Sequence, residues 1–184
     1  MNRGFKIVTP ENWLDPDPLS GLIVKLDRRD GSVQPVDGRD WIAYVNAVQL
    51  SEQVPRKVRD AYDFAIGAVG YGYFYYPLFT LVVQQVLRVA DFAVACLFGI
   101  RLDLPKPRKR TFEARLAALG TAGYLGDVGF TRWDAIRRLR NSATHPEWQQ
   151  TWGHSALDQV RIIGQMISEL PLPTDLPPEY REAT

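Results

Sequence analysis

Arg140 and Asn141, followed four residues on by His145, bring three chemically useful side chains to one short stretch, TRWDAIRRLRNSATHP, residues 131–146. A guanidinium fork can hold a phosphate with paired hydrogen bonds. An imidazole titrates near neutrality and can move protons in either direction. An amide can orient either group. Together they suit cleavage of an RNA phosphodiester by its own 2′-hydroxyl. That reaction needs a proton acceptor, a proton donor and positive charge on the phosphoryl oxygens. It asks for no metal. Two histidines and one cysteine, Cys96, make no familiar zinc spacing. No P-loop, dinucleotide fingerprint or nucleophile elbow is present, so no cofactor is expected.

The element that must carry these groups reads as an amphipathic helix. Thr131 is a suitable N-cap, with Asp134 in the reciprocal position. Ala135, Ile136, Leu139 and Ala143 fall on one apolar stripe. Arg140 lies on its border, where an arginine needs a partner or a purpose. Pro146 disfavours helical geometry at the preceding residue, so the helix is expected to stop near Thr144. His145 then projects from its end, on the same face as Asn141. A helix C-terminus carries partial negative charge and repels phosphate. Two such ends facing across a twofold axis would overcome this, because they present two arginines and two histidines to one anion.

The arrangement of Arg140-Asn141, three further residues and His145, closing a helix in a small helical domain, resembles the motif of the HEPN superfamily. The resemblance covers about residues 55–170. It implies an all-α, HEPN-like helical bundle and a homodimer with a composite ribonuclease site. Arg140, Asn141 and His145 are then the catalytic residues. The implied setting is a toxin or an antiviral defence component, restrained by an antitoxin or other regulatory protein. Some HEPN toxins carry a tyrosine two residues after the histidine that a partner enzyme modifies. Here that position is Glu147, which argues against that form of regulation. Residues 1–50 have no counterpart in the resemblance.

Positive charge gathers where the motif lies. Residues 101–145 hold ten basic and four acidic side chains, a net of +6, in a chain whose total is only +1. Lys106, Arg108, Lys109 and Arg110 form a proline-stiffened basic loop able to neutralise RNA phosphates without reading sequence. Arg137 and Arg138 extend the same charge along the motif helix. Solvated connectors and helix faces would carry the same charges without any nucleic acid.

The remaining chain divides into an N-terminal arm (1–50), a helical domain (51–170) and a flexible, proline-rich tail (171–184). An extended segment leads into a hairpin over residues 22–36, with Asp30-Gly31 as its turn. A short helix from Asp40 to Leu50 follows. Helices are expected from Pro55 to about Val69 or Gly72, from Pro77 to about Gly99, from Phe112 to Leu119, and up to Leu170. The helix from Pro77 is apolar nearly all round and therefore central. Thr80, Gln84, Arg88 and Asp91 make one narrow polar face on it. In the HEPN-like arrangement Gln84, Arg88 and Asp91 would line the cleft, and Arg88 and Asp91 are spaced to pair with each other. The aromatic run between Tyr71 and Tyr76 reads as a core corner rather than a base-stacking surface. Trp148 and Trp152 read as packing at a helix junction, with a wall of the site as the alternative for either.

One cysteine, no signal segment and no uninterrupted apolar run long enough to span a bilayer point to a cytoplasmic protein with no membrane partner. Two readings stand beside the ribonuclease. One is a non-catalytic HEPN-like module that binds RNA or a nucleotide. The other is a helical dimerisation or scaffold protein, in which Arg140 and His145 only tie down the helix end.

Overall fold

Apolar residues at helical spacing dominate the second half of the chain, and they fold into a bundle around one central helix. The computed structural model describes residues 6–101, 104, 111–143, 145 and 153–174, without the side chains of residues 127, 128 and 154. The described elements are β1 (Val24–Leu26), β2 (Val33–Pro35), α1 (Gly38–Asn46), α2 (Arg56–Gly72), α3 (Leu78–Ile100), α4 (Phe112–Thr121), α5 (Gly126–Ala143) and α6 (Gly153–Ser168). The fold is thus mostly helical with one small two-stranded antiparallel sheet, as expected from the sequence. A 3₁₀ turn, Pro18–Leu22, precedes the hairpin.

α3 is the centre. Phe79, Val83, Val86, Ala90, Val94 and Leu97 are among its fully enclosed residues, and α2, α4, α5 and α6 pack around it. By length and mean hydropathy (1.7) alone, α3 is long and apolar enough to cross a membrane, although Gln84, Gln85, Arg88 and Asp91 interrupt its apolar run. Slightly more than half of that stretch is buried inside the bundle.

α2 lies against α3 and α6. It buries Val58, Tyr62, Ala65 and Val69, the four positions its periodicity assigns inward. Gly164 allows the close approach to α6. A Cβ there would stand 2.9 Å from Tyr62 Cζ, and the Tyr62 hydroxyl donates to the Val160 carbonyl at 2.9 Å.

The N-terminal segment packs on this frame. Ile23, Val36, Trp41, Val45 and Val48 join the main core, and the Trp41 indole donates to the Val69 carbonyl at 3.1 Å. Asp17 is enclosed, and its carboxylate accepts from the backbone N–H groups of Leu19 and Tyr76 at 3.0 Å each. α1 is capped by Asp37, whose Oδ1 accepts from Arg39 and Asp40 N–H at 2.8 Å. Asp40, the expected first residue of this helix, lies inside it and pairs with Lys25. The hairpin pairs Leu26 with Val33 and Val24 with Pro35, and Gly31 takes the positive φ (74°) its turn requires. Its apolar side, Val24, Leu26 and Val33, faces outward. In the aromatic run Tyr73 and Tyr76 are buried, and Tyr71 and Tyr75 are exposed.

Candidate functional site

α5 carries the Arg-Asn-His cluster, and the structure redraws its beginning. The helix starts at Gly126, so Thr131 is an interior, exposed residue and not the N-cap. Gly126 and Gly129 look like helix breakers, yet packing outweighs their poor propensity. Phe130 lies over Gly120 of α4, where a Cβ would meet its ring at 2.6 Å. Trp133 is buried and anchors α5 in the core alongside Ile136 and Ala143. Ala135, expected to face inward, is exposed, and Leu139 is partly buried. The helix is described to Ala143, and Thr144, near which its stop is expected, lies outside the described residues.

Arg140 sits half-exposed on the border of the apolar stripe, as its position predicts. Its Nη2 meets Asp91 Oδ2 of α3 at 3.0 Å. The other carboxylate oxygen accepts from Nη1 of Arg115, on α4, at 3.1 Å. Asp91 is only 19% exposed, Arg115 20% and Arg140 35%. The expected Arg88–Asp91 pair is therefore not formed. Side chains three apart on one helix can meet, but here two guanidinium groups from neighbouring helices converge on the carboxylate and take both oxygens. Arg88 is exposed. The Arg140 guanidinium also lies over the Phe112 ring, 6.0 Å from its centroid.

Gln84 is the second link from α3 to the motif. Its amide donates to the Ala143 carbonyl at 3.0 Å, satisfying one of the backbone acceptors that a helix C-terminus leaves open. Asn141 and His145 are exposed, and His145 N–H closes the chain reversal by donating to the Ser142 carbonyl at 3.1 Å. The structure thus brings together Gln84, Asp91 and Arg140 of the residues singled out in the sequence. It adds Arg115 and Phe112, which no local pattern marks, because their pairing depends on how α4 is laid beside α3 and α5.

The positive charge of α5 is partly spent inside the chain. Arg137 Nε donates to Asp134 at 2.7 Å and Arg138 Nε donates to its other oxygen at 2.9 Å. These bonds, that from Arg137 first, hold the Asp134 carboxyl below the ordinary carboxylate range against the opposing effect of desolvation. Arg137 also lies 3.9 Å from Glu113. Arg138 is the more exposed of the two, at 75%. Lys106, Arg108, Lys109 and Arg110 fall outside the described residues, as do Glu147, Trp148 and Trp152. Among the described residues no group of three His, Cys, Asp or Glu side chains could hold a metal ion. Cys96 is buried, which pushes its thiol up to about 11. A separate groove of about 360 Å³, lined by Ile42, Ile66, Gly70, Tyr71 and Phe74, lies between α1 and α2 and includes no motif residue.

No family model, no curated protein and no solved structure matches this chain.

Proposed function

We propose that the chain is a metal-independent endoribonuclease of HEPN type that works as a homodimer. The observation that carries this reading is the placement of Arg140. It stands at the last turn of α5, half-exposed, held by Asp91 of the central helix, with His145 exposed just beyond the helix end. In the proposed reaction the 2′-hydroxyl attacks the adjacent phosphorus and gives its proton to one imidazole. The P–O5′ bond breaks, and the leaving 5′-oxygen takes a proton from a second imidazole. The products are a 2′,3′-cyclic phosphate and a 5′-hydroxyl. His145 from each protomer supplies the two imidazoles, and Arg140 holds the non-bridging oxygens. Asn141 orients the phosphate or the imidazole. Arg88, Arg138 and the basic loop at 106–110 bind flanking phosphates. A toxin or antiviral defence role, with a restraining partner protein, follows from the resemblance to HEPN proteins.

The test is RNA cleavage in EDTA by the wild-type protein, His145→Ala and Arg140→Ala. Cleavage that disappears in both folded variants supports the enzyme. Salt-sensitive RNA binding without cleavage replaces it by the non-catalytic binding module. A third reading, a helical scaffold, draws on the same Arg140–Asp91 bond as a structural tie. It predicts a dimer that neither binds nor cleaves RNA.

A further inference from the structure

We propose that Arg115 is a positioning residue: from α4 it fixes the Asp91 carboxylate, and through it the Arg140 guanidinium, in the orientation that a phosphate needs. This rests on the reading of Arg140 as the phosphate-holding group.

Three observations carry it. The Asp91 carboxylate is divided, one oxygen to Arg115 at 3.1 Å and the other to Arg140 at 3.0 Å. A carboxylate held at one oxygen can rotate about its last bond, whereas one held at both by groups on separate helices cannot. Phe112 and Arg115 are three apart on α4 and so share a face. The same face therefore supplies an aromatic surface beneath Arg140 and the second cation on its counter-ion. The charges point the same way. Asp91 with Arg140 alone would sum to zero, leaving little attraction for an anion. With Arg115 the trio sums to +1, and Arg140 is its most exposed member. A guanidinium has five N–H donors. The contact with α3 is made by Nη2 of Arg140 to Asp91 Oδ2.

The experiment compares Arg115→Met and Arg115→Lys with the wild-type protein, by two readouts. The first is the ¹⁵N NMR signal of the Arg140 guanidinium, whose rotation is slow when the group is anchored. The second is single-turnover RNA cleavage with KM and kcat separated. The proposal expects faster Arg140 rotation in Arg115→Met. It also expects kcat to fall on the order of tenfold to a hundredfold, as slight misplacement of a binding group does, with KM changed less. Arg115→Lys, which keeps the charge and the stem, should recover part of both. It also serves as the folded comparison should Arg115→Met fail to fold.

A merely structural role would lower Tm in both variants without separating kcat from KM. Unchanged Arg140 rotation in Arg115→Met, or in Arg115→Lys where only that variant folds, overturns the proposal. So does full activity beside an active wild-type enzyme. Should the wild-type protein not cleave RNA, the proposed function falls, and the NMR readout still decides whether Arg115 positions Arg140.

Discussion

Asp91 of α3 and Arg140 of α5 are joined at 3.0 Å, so the motif helix is tied by its functional end to the most deeply buried helix of the fold. Removing either partner has unequal effects. Arg140→Ala leaves Asp91 with Arg115. Asp91→Ala leaves two guanidinium groups side by side with no counter-ion from α3. We expect Asp91→Ala to be the more destabilising change in urea unfolding. A double-mutant cycle should give a coupling of about 1 kcal/mol, between the values for exposed and buried pairs. Equal losses for the two single variants would contradict the shared-carboxylate geometry.

Gly164→Ala should cost about 1–3 kcal/mol, the range for forcing an extra methyl into a packed contact. The new Cβ meets the Tyr62 ring, which is enclosed and has no room to swing away. Gly120→Ala should cost less, because the Phe130 ring it meets is 38% exposed and can move. Thermal denaturation of the two variants side by side tests the order.

Asp37 caps α1, and its N–H donors, first that of Asp40, hold its carboxyl below the usual value of 3.8 against the desolvation that opposes them. A carboxyl depressed in the folded state adds stability above the unfolded value. That contribution is lost as pH falls through the lower, folded value. Asp37→Ala should therefore lower the urea midpoint at pH 7. The gap from the wild-type protein should close as pH drops below about 3.8. A gap of constant size across that range would show that the cap does not titrate with folding.

Cys96 should resist alkylation in the native protein and react fully in urea. It is 2% exposed, and its thiol is held neutral well past the pH where a free thiol ionises. Rapid modification at pH 8 without denaturant would place Cys96 at the surface instead.

The elements that could be read from the sequence are those whose signals are local. The inward positions Val58, Tyr62, Ala65 and Val69 of α2 follow from a 3.6-residue period. Thr111 announces α4, and its hydroxyl accepts from Ala114 N–H at 3.2 Å. The hairpin follows from Asp30-Gly31, where Asp30 Oδ1 accepts from Ser32 N–H. The beginning of α5 is not legible, because Gly126 and Gly129 are poor helix formers and tertiary packing, including the contact of Phe130 with α4 and the burial of Trp133, outweighs them. At the candidate site, the half-burial of Arg140 could be foreseen from its place on the helical stripe. Its partner could not. An acid three residues from an arginine on one helix suggests a pair within that helix, and nothing local reports that α4 and α5 bring Arg115 and Arg140 to Asp91. The burial of Asp17 has no local signal either, since the Tyr76 N–H it accepts comes from a distant part of the chain.

The Gln84 amide on the Ala143 carbonyl has a consequence for how long the motif stays assembled. Terminal turns ordinarily fray on their own, opening and closing many times before the body of a protein unfolds. A net hydrogen bond of about 1 kcal/mol makes such local opening roughly fivefold rarer. The lifetime of the Arg-Asn-His arrangement is thereby tied to the slow breathing of the central helix, and backbone amides of the last turn of α5 should exchange with deuterium faster once Gln84 is shortened to alanine.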